Sequence, residues 1–427
     1  MSMYNILRMK FGNSKETNQK ELFPSKRLYC FFLLVLFIGC TNVRFQKNEV
    51  ESLENVINEA LDFSVEQSLL MASSLKDQTT LLPKTTNRFG DLETCKADWW
   101  VSGFFPGLLW YLYEYTDDVN IKELAHEYTM RVADQQFVTT THDLGFIIFC
   151  SFGNGYRLTQ DTSYLGIIHT ASNSLITRFR KTTGCIRSWD YSDWNKQWQY
   201  PVIIDNMMNL EMLLWSAQEF NNPKLSDLAV SHANTTLKNH FRPDNSSYHV
   251  VSYDTLTGLP EKKNTAQGYN NESSWARGQA WGLYGYTMMY RFTGDTAYLN
   301  QAKRIARFVL DHPRLPADKI PYWDFDAPNI PDCYRDASAA AIICSALIEL
   351  SQYVDTELTK EYLSVAETQI RTLNSSEYRN ALGNNGNFIL KHSVGHMPNN
   401  SEVDVPLTYA DYYFVEALMR LRKIKGF

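Results

Sequence analysis

The apolar residues of this chain are spaced for helices over almost its whole length. From about residue 50 onward they recur at intervals of three and four, and alternating stretches typical of strands are very few. Twelve helices are predicted in six consecutive pairs, and such pairs pack as antiparallel neighbours. Their ranges are 51–75, 104–116, 119–137, 143–158, 162–180, 204–219, 223–240, 274–293, 295–312, 335–353, 357–374 and 406–423. Six helical hairpins predict an all-α (α/α)6 barrel with an inner and an outer ring of helices.

Four connections between these helices are long and rich in Trp, Tyr, His, Asp and Asn. Loops of this length in a compact domain usually build a functional site. Each precedes the first helix of a pair, so the barrel would bring all four to one mouth. They are residues 181–203, 241–273, 313–334 and 375–405. No linker rich in Pro, Gly or Ser divides the chain, and residues 51–427 are therefore predicted to form one domain.

The net charge and the aromatic content limit which classes of molecule this chain can bind. The formal net charge is −6, which argues against nucleic-acid binding, since that requires a basic face to displace counterions. A small anionic ligand remains compatible, because a few local Arg, Lys or His residues can bind it. Aromatic residues make up 14% of the chain, and Trp and Tyr also line clefts that stack on sugar faces. Composition therefore excludes a general nucleic-acid binder and is compatible with a carbohydrate ligand.

The cysteines predict neither a disulfide framework nor a structural zinc site. Beyond residue 40 their number is odd, none form a CxxC pair, and there is no clustered His/Cys ligand set. These five are Cys95, Cys150, Cys185, Cys333 and Cys344. We therefore expect mostly buried thiols, and nothing in the sequence calls for a metal or an organic cofactor.

The N-terminal segment has the pattern of an export signal. A basic pair precedes an apolar run over residues 28–39, which is too short to span a bilayer comfortably and suits a signal-peptide core. A glycine directly before Cys40 resembles a lipobox, in which the cysteine becomes lipidated and N-terminal. We predict a signal peptide over 1–40, a linker over 41–50, and attachment to a membrane only through lipid on Cys40. A plain secretory signal and an uncleaved anchor are the alternatives.

Two aspartates stand at the predicted starts of inner helices. Asp143 lies in Thr-His-Asp-Leu-Gly-Phe, and Asp205 lies in Ile-Ile-Asp-Asn-Met-Met. Each could simply cap its helix by accepting bonds from free backbone N–H groups. Apolar neighbours such as Phe146 and Ile204 favour a second interpretation, because such surroundings raise the pKa of a carboxyl group until it can donate a proton near neutrality. The pair is therefore the candidate catalytic centre.

A helix start rich in Arg, Gln and Trp forms a second candidate constellation. Arg277 and Trp281 are four residues apart and share a helix face, where they would offer a fork for a carboxylate beside a stacking surface. The alternative is an arginine buried against an aspartate between packed indoles. His249 and Gln267 in the preceding loop could reach the same mouth. Trp100, Trp189 and Trp198 fit either a sugar platform or packing.

Eight motifs, in order, resemble the unsaturated glucuronyl hydrolases of glycoside hydrolase family 88 over residues 55–425. They are Trp-x-Ser-Gly-Phe-Phe-Pro-Gly at 100–107, His-Asp-Leu-Gly-Phe at 142–146, Ile-Asp-Asn-Met-Met-Asn-Leu at 204–210, Trp-Ala-Arg-Gly-Gln-Ala-Trp at 275–281, Tyr-Trp-Asp-Phe at 322–325, Asp-Ala-Ser-Ala-Ala at 336–340, His-Ser-Val-Gly at 392–395 and Asp-Tyr-Tyr at 411–413. The resemblance implies the (α/α)6 barrel that the helix count also predicts. It further implies removal of 4,5-unsaturated glucuronic acid from the non-reducing end of lyase-generated, glycosaminoglycan-derived oligosaccharides.

The resemblance also implies roles for individual residues. Asp205 is expected to be the general acid and base, and Asp143 to support it. The positions that match those cradling the sugar are Trp100, His249, Gln267, Arg277 and Trp281. Ser393 lies in the loop with which some relatives accept sulfate on the next sugar, and Trp189 is a further candidate for substrate binding. Together with the leader, this substrate class implies a periplasmic or outer-membrane-anchored lipoprotein of a Gram-negative bacterium. The partner is then a small anionic oligosaccharide.

Three other functions fit part of the pattern. A hydrolase of unsaturated rhamnogalacturonyl groups from pectin, in family 105, would share the barrel and similar chemistry, but Trp-Ala-Arg-Gly-Gln-Ala-Trp favours family 88. A glycan-binding lipoprotein that lost catalysis would not need both Asp143 and Asp205. An inverting glycosidase would need a glutamate acid at the mouth, and Glu211 is expected to face elsewhere.

Overall fold

The structure is a computed structural model and describes residues 51–427. The predicted signal peptide over 1–40, its Cys40 and the linker over 41–50 lie outside the described residues. Within the described range no helix is long and apolar enough to cross a membrane. The α-helices are α1 (Leu53–Ser74), α2 (Phe104–Thr116), α3 (Val119–Met130), α4 (Asn154–Thr159), α5 (Ser163–Ile176), α6 (Asn206–Glu219), α7 (Pro223–Asn239), α8 (Ala276–Thr293), α9 (Thr296–Asp311), α10 (Ala337–Leu350), α11 (Thr356–Leu373) and α12 (Thr408–Lys425).

These helices form two concentric rings. The inner ring consists of α2, the helical segment Gly145–Gly153 (which continues into α4), α6, α8, α10 and α12. Contact between α12 and α2 closes the ring. The outer helices α3, α5, α7, α9 and α11 each pack on the inner helix before them, and α1 packs on α12. Inner helices such as α10 are buried on every face, whereas outer helices such as α9 bury one stripe, as their apolar patterns require. The predicted (α/α)6 barrel is confirmed.

One inner helix is wound differently from the others. The range predicted as 143–158 begins as a π-helix over Gly145–Gly153 and continues as α4. A Cβ on Gly145 would lie 2.6 Å from the Cα of Asn209 on α6, so glycine permits the close approach of the two helices. At the same place the Asn209 side chain accepts a hydrogen bond from the Phe146 N–H at 3.0 Å. This contact fixes the start of the π-helix against the start of α6.

Short strands occupy the long loops, where the sequence predicted very few. They are β1 (Leu82–Thr86), β2 (Leu92–Cys95), β3 (Phe179–Arg180), β4 (Cys185–Ile186), β5 (Pro201–Ile203), β6 (Val250–Tyr253), β7 (Pro260–Asn264), β8 (Ser393–His396) and β9 (Ser401–Val405). Strands β5, β6 and β7 form an antiparallel sheet in which Ile203 pairs with Val250. The loop before α8 is therefore joined to the loop before α6 directly ahead of the start of α6.

The long loops meet at the N-terminal end of the inner helices, as predicted. The Ile204 N–H donates to the His249 carbonyl at 3.0 Å, and the Tyr269 N–H donates to Asp324 at 2.8 Å. The Gln267 side-chain amide donates to the Gly395 carbonyl at 3.1 Å. Loops 181–203, 241–273, 313–334 and 375–405 are thus connected by hydrogen bonds around one mouth.

The opposite end of the barrel holds a cavity of about 530 Å³ that is separate from this mouth. It is lined by side chains of the inner helices, among them Glu211, Arg291, Glu416 and Arg420. Glu211 accepts from Arg291 at 2.6 Å, and Glu416 accepts from Tyr284 at 3.0 Å. Glu211 therefore faces away from the loops, as the sequence predicted, and does not supply an acid at the mouth.

Candidate active site

Asp205 stands directly before α6, at its N-cap position, but does not cap the helix. Its side chain makes no hydrogen bond to the backbone of the helix, so the capping alternative is wrong for this residue. The side chain is 11% exposed, and its Oδ2 atom is buried with no hydrogen-bond partner in residues 51–427. A buried carboxyl oxygen left unpaired is costly. At the mouth, where the long loops meet, this unpaired oxygen is available to a ligand.

The surroundings of Asp205 favour its protonated form. Burial raises the pKa of this carboxyl group from 3.8 to about 7, while the positive charge of Arg277 acts in the opposite direction. The negative charge of Asp143 raises the pKa further, and contact with the Trp281 indole lowers it slightly. Desolvation is the dominant cause. At neutral pH the group is therefore poised to donate a proton.

His249 faces Asp205 with a defined tautomer. Its Nδ1 atom accepts hydrogen bonds from the N–H groups of Ala266 and Gln267 at 3.1 and 3.2 Å. Burial holds the pKa of His249 well below its usual value, so the ring is neutral and its single proton is on Nε2. Nε2 lies 3.7 Å from Asp205 Oδ2, beyond hydrogen-bond distance. The His249 Nε2–H and Asp205 Oδ2 therefore lie close together without a hydrogen bond between them, and both are available to a ligand.

Asp143 stands at the entry of the π-helix and is held by its neighbours. The Thr141 hydroxyl donates to Asp143 Oδ2 at 2.9 Å, and His142 Nε2 lies 3.4 Å from Oδ1. Burial lowers the pKa of His142, although Asp143 acts in the opposite direction. Asp143 is fixed beside the mouth with 14% of its side chain exposed. It remains accessible to a ligand.

Arg277 is buried in the arrangement that the sequence left as the alternative. Its Nη1 atom donates to Asp336 at 3.2 Å and to the Val394 carbonyl, and Nη2 donates to the Gly395 carbonyl at 2.6 Å. Its guanidinium carbon lies 4.6 Å from the Trp275 ring centroid. Only 1% of the residue is exposed. In this structure both Nη atoms are engaged by the protein, and the fork does not stand open for a ligand.

Asp336, the first residue of the motif at 336–340, has two functions in the structure. The carboxylate caps α10 through the Ser338 N–H at 3.0 Å, and it also accepts from the Val394 N–H at 3.3 Å. Its other oxygen binds Arg277. One fully buried side chain thus joins α8, α10 and β8. The spacing of residues in the sequence did not show which aspartate would pair with Arg277.

The other predicted binding residues divide by exposure. Trp100, Trp189 and Gln267 are partly exposed at the mouth, whereas Trp281 and Ser393 are fully buried. Neither the Trp281 indole N–H nor the Ser393 hydroxyl has a hydrogen-bond partner within the described part of the chain. Trp198 is a packing residue, since it is 4% exposed and its indole N–H donates to Asn264 at 2.9 Å. The mouth therefore presents aromatic faces around Asp205 and Asp143.

Comparison with known proteins identifies the family of this chain. Residues 73–422 match the family described as Glycosyl Hydrolase Family 88. An unsaturated glucuronyl hydrolase of Formosa agariphila is 42% identical over 413 residues, 93% of this chain and 99% of that protein. An unsaturated chondroitin disaccharide hydrolase of Streptococcus agalactiae is 33% identical, covering 76% of this chain and 81% of the other.

A solved structure extends the similarity to the fold. The crystal structure of an unsaturated glucuronyl hydrolase specific for heparin superposes with a TM-score of 0.84 at 48% identity, covering 88% of this chain and 99% of that one. The resemblance of the eight motifs is thereby confirmed over most of the chain. The protein belongs to glycoside hydrolase family 88.

Proposed function

We propose that this protein removes 4,5-unsaturated glucuronic acid from the non-reducing end of glycosaminoglycan-derived oligosaccharides. The observation that carries the proposal is Asp205, a buried carboxyl group whose Oδ2 is unpaired and whose pKa is raised to about 7. Polysaccharide lyases leave this sugar as an enol ether conjugated to a carboxylate. Such a substrate needs a proton donor, and Asp205 is held in the donor state. The names of the heparin-specific and chondroitin-disaccharide relatives support the substrate class.

In the proposed reaction Asp205 protonates C4 of the double bond. Positive charge then develops at C5 and the ring oxygen, and a water molecule adds at C5 while returning its proton to the Asp205 carboxylate. The product is a hemiketal, which opens and releases the remaining sugar from C1. Asp205 ends protonated, as it began, so one residue acts as acid and then as base. The two-carboxylate displacement at the anomeric carbon used by ordinary glycosidases is not required.

The neighbouring groups have matching roles in this proposal. Asp143 lies close enough to raise the pKa of Asp205, and its negative charge stabilises the cation that develops on the sugar. The His249 Nε2–H donates to a substrate oxygen in the space beside Asp205. Buried Arg277 supplies positive charge for the substrate carboxylate without direct contact in this arrangement. Trp100, Trp189 and Gln267 line the opening of the site. Trp281 and Ser393 are fully buried and pack beneath these residues.

A panel of unsaturated disaccharides tests the proposed function. Loss of the ultraviolet absorbance of the conjugated double bond is followed with fragments made by lyases from chondroitin, hyaluronan, heparin and pectin. We expect absorbance to fall with at least one glycosaminoglycan fragment and to persist with pectin fragments. Activity on pectin fragments alone would instead indicate the rhamnogalacturonyl substrate. Absence of any loss, with binding retained, would indicate a glycan-binding protein.

The pKa of Asp205 sets the expected pH dependence. The acid must be protonated when substrate binds, and its pKa of about 7 means that this form declines as pH rises through 7. We therefore expect kcat/KM to be level in mildly acidic buffer and to fall about tenfold per pH unit well above 7. Initial rates on one unsaturated disaccharide between mildly acidic and mildly alkaline pH measure this limb. A profile that rises through pH 7 would contradict the assignment of Asp205 as the acid.

We further propose that the protein is an exported lipoprotein, periplasmic or anchored in the outer membrane of a Gram-negative bacterium. The apolar run over 28–39 and the glycine before Cys40 support this. The variant Cys40→Ser is expected to move the protein from the membrane fraction to the soluble fraction after expression in a Gram-negative host. Fractionation and labelling with a fatty-acid analogue measure the change. Equal recovery in the membrane fraction, or equal labelling, would contradict lipidation at Cys40.

A further inference from the structure

We propose that Trp194 forms an additional carbohydrate subsite, which binds the sugar two positions from the unsaturated uronate, and that tetrasaccharides are therefore better substrates than disaccharides. The proposal rests on the proposed function and extends it to substrate length. Trp194 belongs to a group of three indoles in the loop before α6. We call Trp189, Trp194 and Trp198 the tryptophan platform.

The platform leads outward from the proton donor. His249 lies beside Asp205, and its ring centroid is 6.0 Å from that of Trp189. The Trp189 ring lies 5.0 Å from the Trp194 ring. Trp189 is also paired through its backbone with Thr141, the residue whose hydroxyl holds Asp143. The first indole thus borders the site, and the second lies one ring farther out.

Exposure increases in the same direction. Asp205 is 8% exposed, Trp189 is partly exposed, and Trp194 is 57% exposed. An indole left in water forfeits the gain from burying its large apolar surface, and Trp194 is exposed as part of a cluster of three indoles beside the site, not as an isolated ring. A sugar that stacks on Trp194 would recover that gain. The unsaturated uronate is the non-reducing end, so the rest of an oligosaccharide leaves the pocket in one direction.

Trp194 is held rigidly in its exposed position. It lies in the 3₁₀ turn Asp193–Asn195, where the Asn195 side chain accepts a hydrogen bond from the Ser192 N–H at 2.8 Å. The Asn195 side chain also donates to the Asp190 carbonyl at 2.8 Å. Buried Trp198 lies under the turn, 6.0 Å from the Trp194 ring. A pre-organised aromatic surface loses little conformational entropy when a ligand binds.

The charge and orientation of the platform also suit an acidic oligosaccharide. Asp190, which precedes the turn, forms an ion pair with Arg178 at 3.0 Å, and the exposed Asp193 and Lys196 on either side of Trp194 carry opposite charges, so these charges balance. The planes of Trp189 and Trp194 are inclined at 64° to each other. Successive sugars along a glycan are rotated relative to one another, and each could therefore find a matching indole face.

The test compares Trp194→Ala with wild type on an unsaturated disaccharide and on the tetrasaccharide of the same glycan. We expect KM for the tetrasaccharide to rise about tenfold, the effect of losing one stacking contact, with kcat unchanged. For the disaccharide, kcat and KM of the variant should stay within about twofold of the wild-type values, because the disaccharide does not reach Trp194. Trp194→Phe should retain most of the tetrasaccharide affinity. Phe137→Ala removes another exposed ring, one outside the tryptophan platform, and should leave kcat and KM for both substrates unchanged.

Binding measured without turnover separates this inference from the proposed function. In an Asp205→Asn background, Trp194→Ala should raise the Kd of the tetrasaccharide by the same factor and leave that of the disaccharide unchanged. Equal losses on both substrates would assign Trp194 a purely structural role and overturn the subsite, as would no change on the tetrasaccharide. If wild type hydrolyses neither substrate and binds neither, the proposed function fails and the subsite fails with it. Binding of both without hydrolysis, with the length dependence intact, would leave the subsite standing and remove only the catalytic proposal.

Discussion

Asp205→Asn is expected to lower kcat by about a thousandfold, since the general acid and base of the proposed reaction is lost. The amide has nearly the same shape as the carboxylic acid, so KM should change much less than kcat. Ultraviolet absorbance of the unsaturated sugar, followed under single-turnover conditions, measures the chemical step itself. Retention of more than about a tenth of the wild-type kcat would rule out proton donation by Asp205.

The same substitution has a predictable effect on stability. The pKa of Asp205 is about 7 in the folded protein and 3.8 when exposed, so between these pH values only the unfolded chain ionises. Ionisation of Asp205 therefore lowers the stability of wild type by about 4 kcal/mol as pH rises from about 4 to 7, and the asparagine variant lacks this contribution. Above pH 7 the variant should be more stable to urea than wild type, and near pH 4 the two should be alike.

Asp411 provides a matched control for this experiment. It is also buried at the start of an inner helix, and burial raises the pKa of its carboxyl group to about 7. Its two oxygens accept from the N–H groups of Ile389 and Leu390 at 2.8 and 2.9 Å, so neither is left free. Asp411→Asn should reduce stability, because the amide cannot accept both bonds, while the folded fraction keeps its kcat. A large loss of kcat there would weaken the interpretation of Asp205→Asn.

Asp336→Asn is expected to have the largest effect on stability. The substitution leaves Arg277 as a buried charge whose carboxylate partner is gone, which costs about 3–5 kcal/mol. The urea midpoint measures this loss. The activity profile should also change, because the unbalanced Arg277 charge lowers the pKa of Asp205 further. The alkaline limb of kcat/KM should therefore move to lower pH, an effect that general destabilisation does not produce.

A double-mutant cycle with Arg277→Met separates the two functions of this ion pair. Replacing both charged groups removes the uncompensated charge, so the double variant should recover part of the stability that either single variant loses. It should not recover activity, because Arg277 is the proposed source of positive charge near the substrate carboxylate. Additive stability losses would contradict a coupled pair. Restored activity would contradict the role proposed for Arg277.

The fold could be predicted from the sequence because its helices carry strong and separate signals. Outer helices such as α9 have one apolar stripe, inner helices such as α10 are apolar throughout, and their alternation indicates two layers. The strands could not be predicted, since they contain two to five residues and lie in loops without a repeating pattern. The π-helix at Gly145–Gly153 depends on packing against α6, which local sequence does not encode.

The site was partly predictable for a related reason. Asp205 was recognisable because a carboxyl group beside Ile203 and Ile204 must be desolvated if the loop folds back over it. The tautomer of His249 and the enclosure of Arg277 depend on backbone groups from other loops, which only the folded chain brings together. Trp194 was overlooked although it stands between Trp189 and Trp198. The number of indoles in one loop was the available signal.

The packing of α1 on α12 has a consequence for how the chain folds. These are the first and last helices of the described residues, and Gln67 of α1 donates to the Phe388 carbonyl at 2.9 Å, close to the other end of the chain. Neither ring of helices can close until α12, the final helix, has left the ribosome. Until then α2 and α10 expose the surfaces that α12 covers, so the nascent chain requires protection from aggregation. Contacts between such distant residues also slow folding, and a chain shortened before residue 408 would be a substrate for proteases rather than a smaller enzyme.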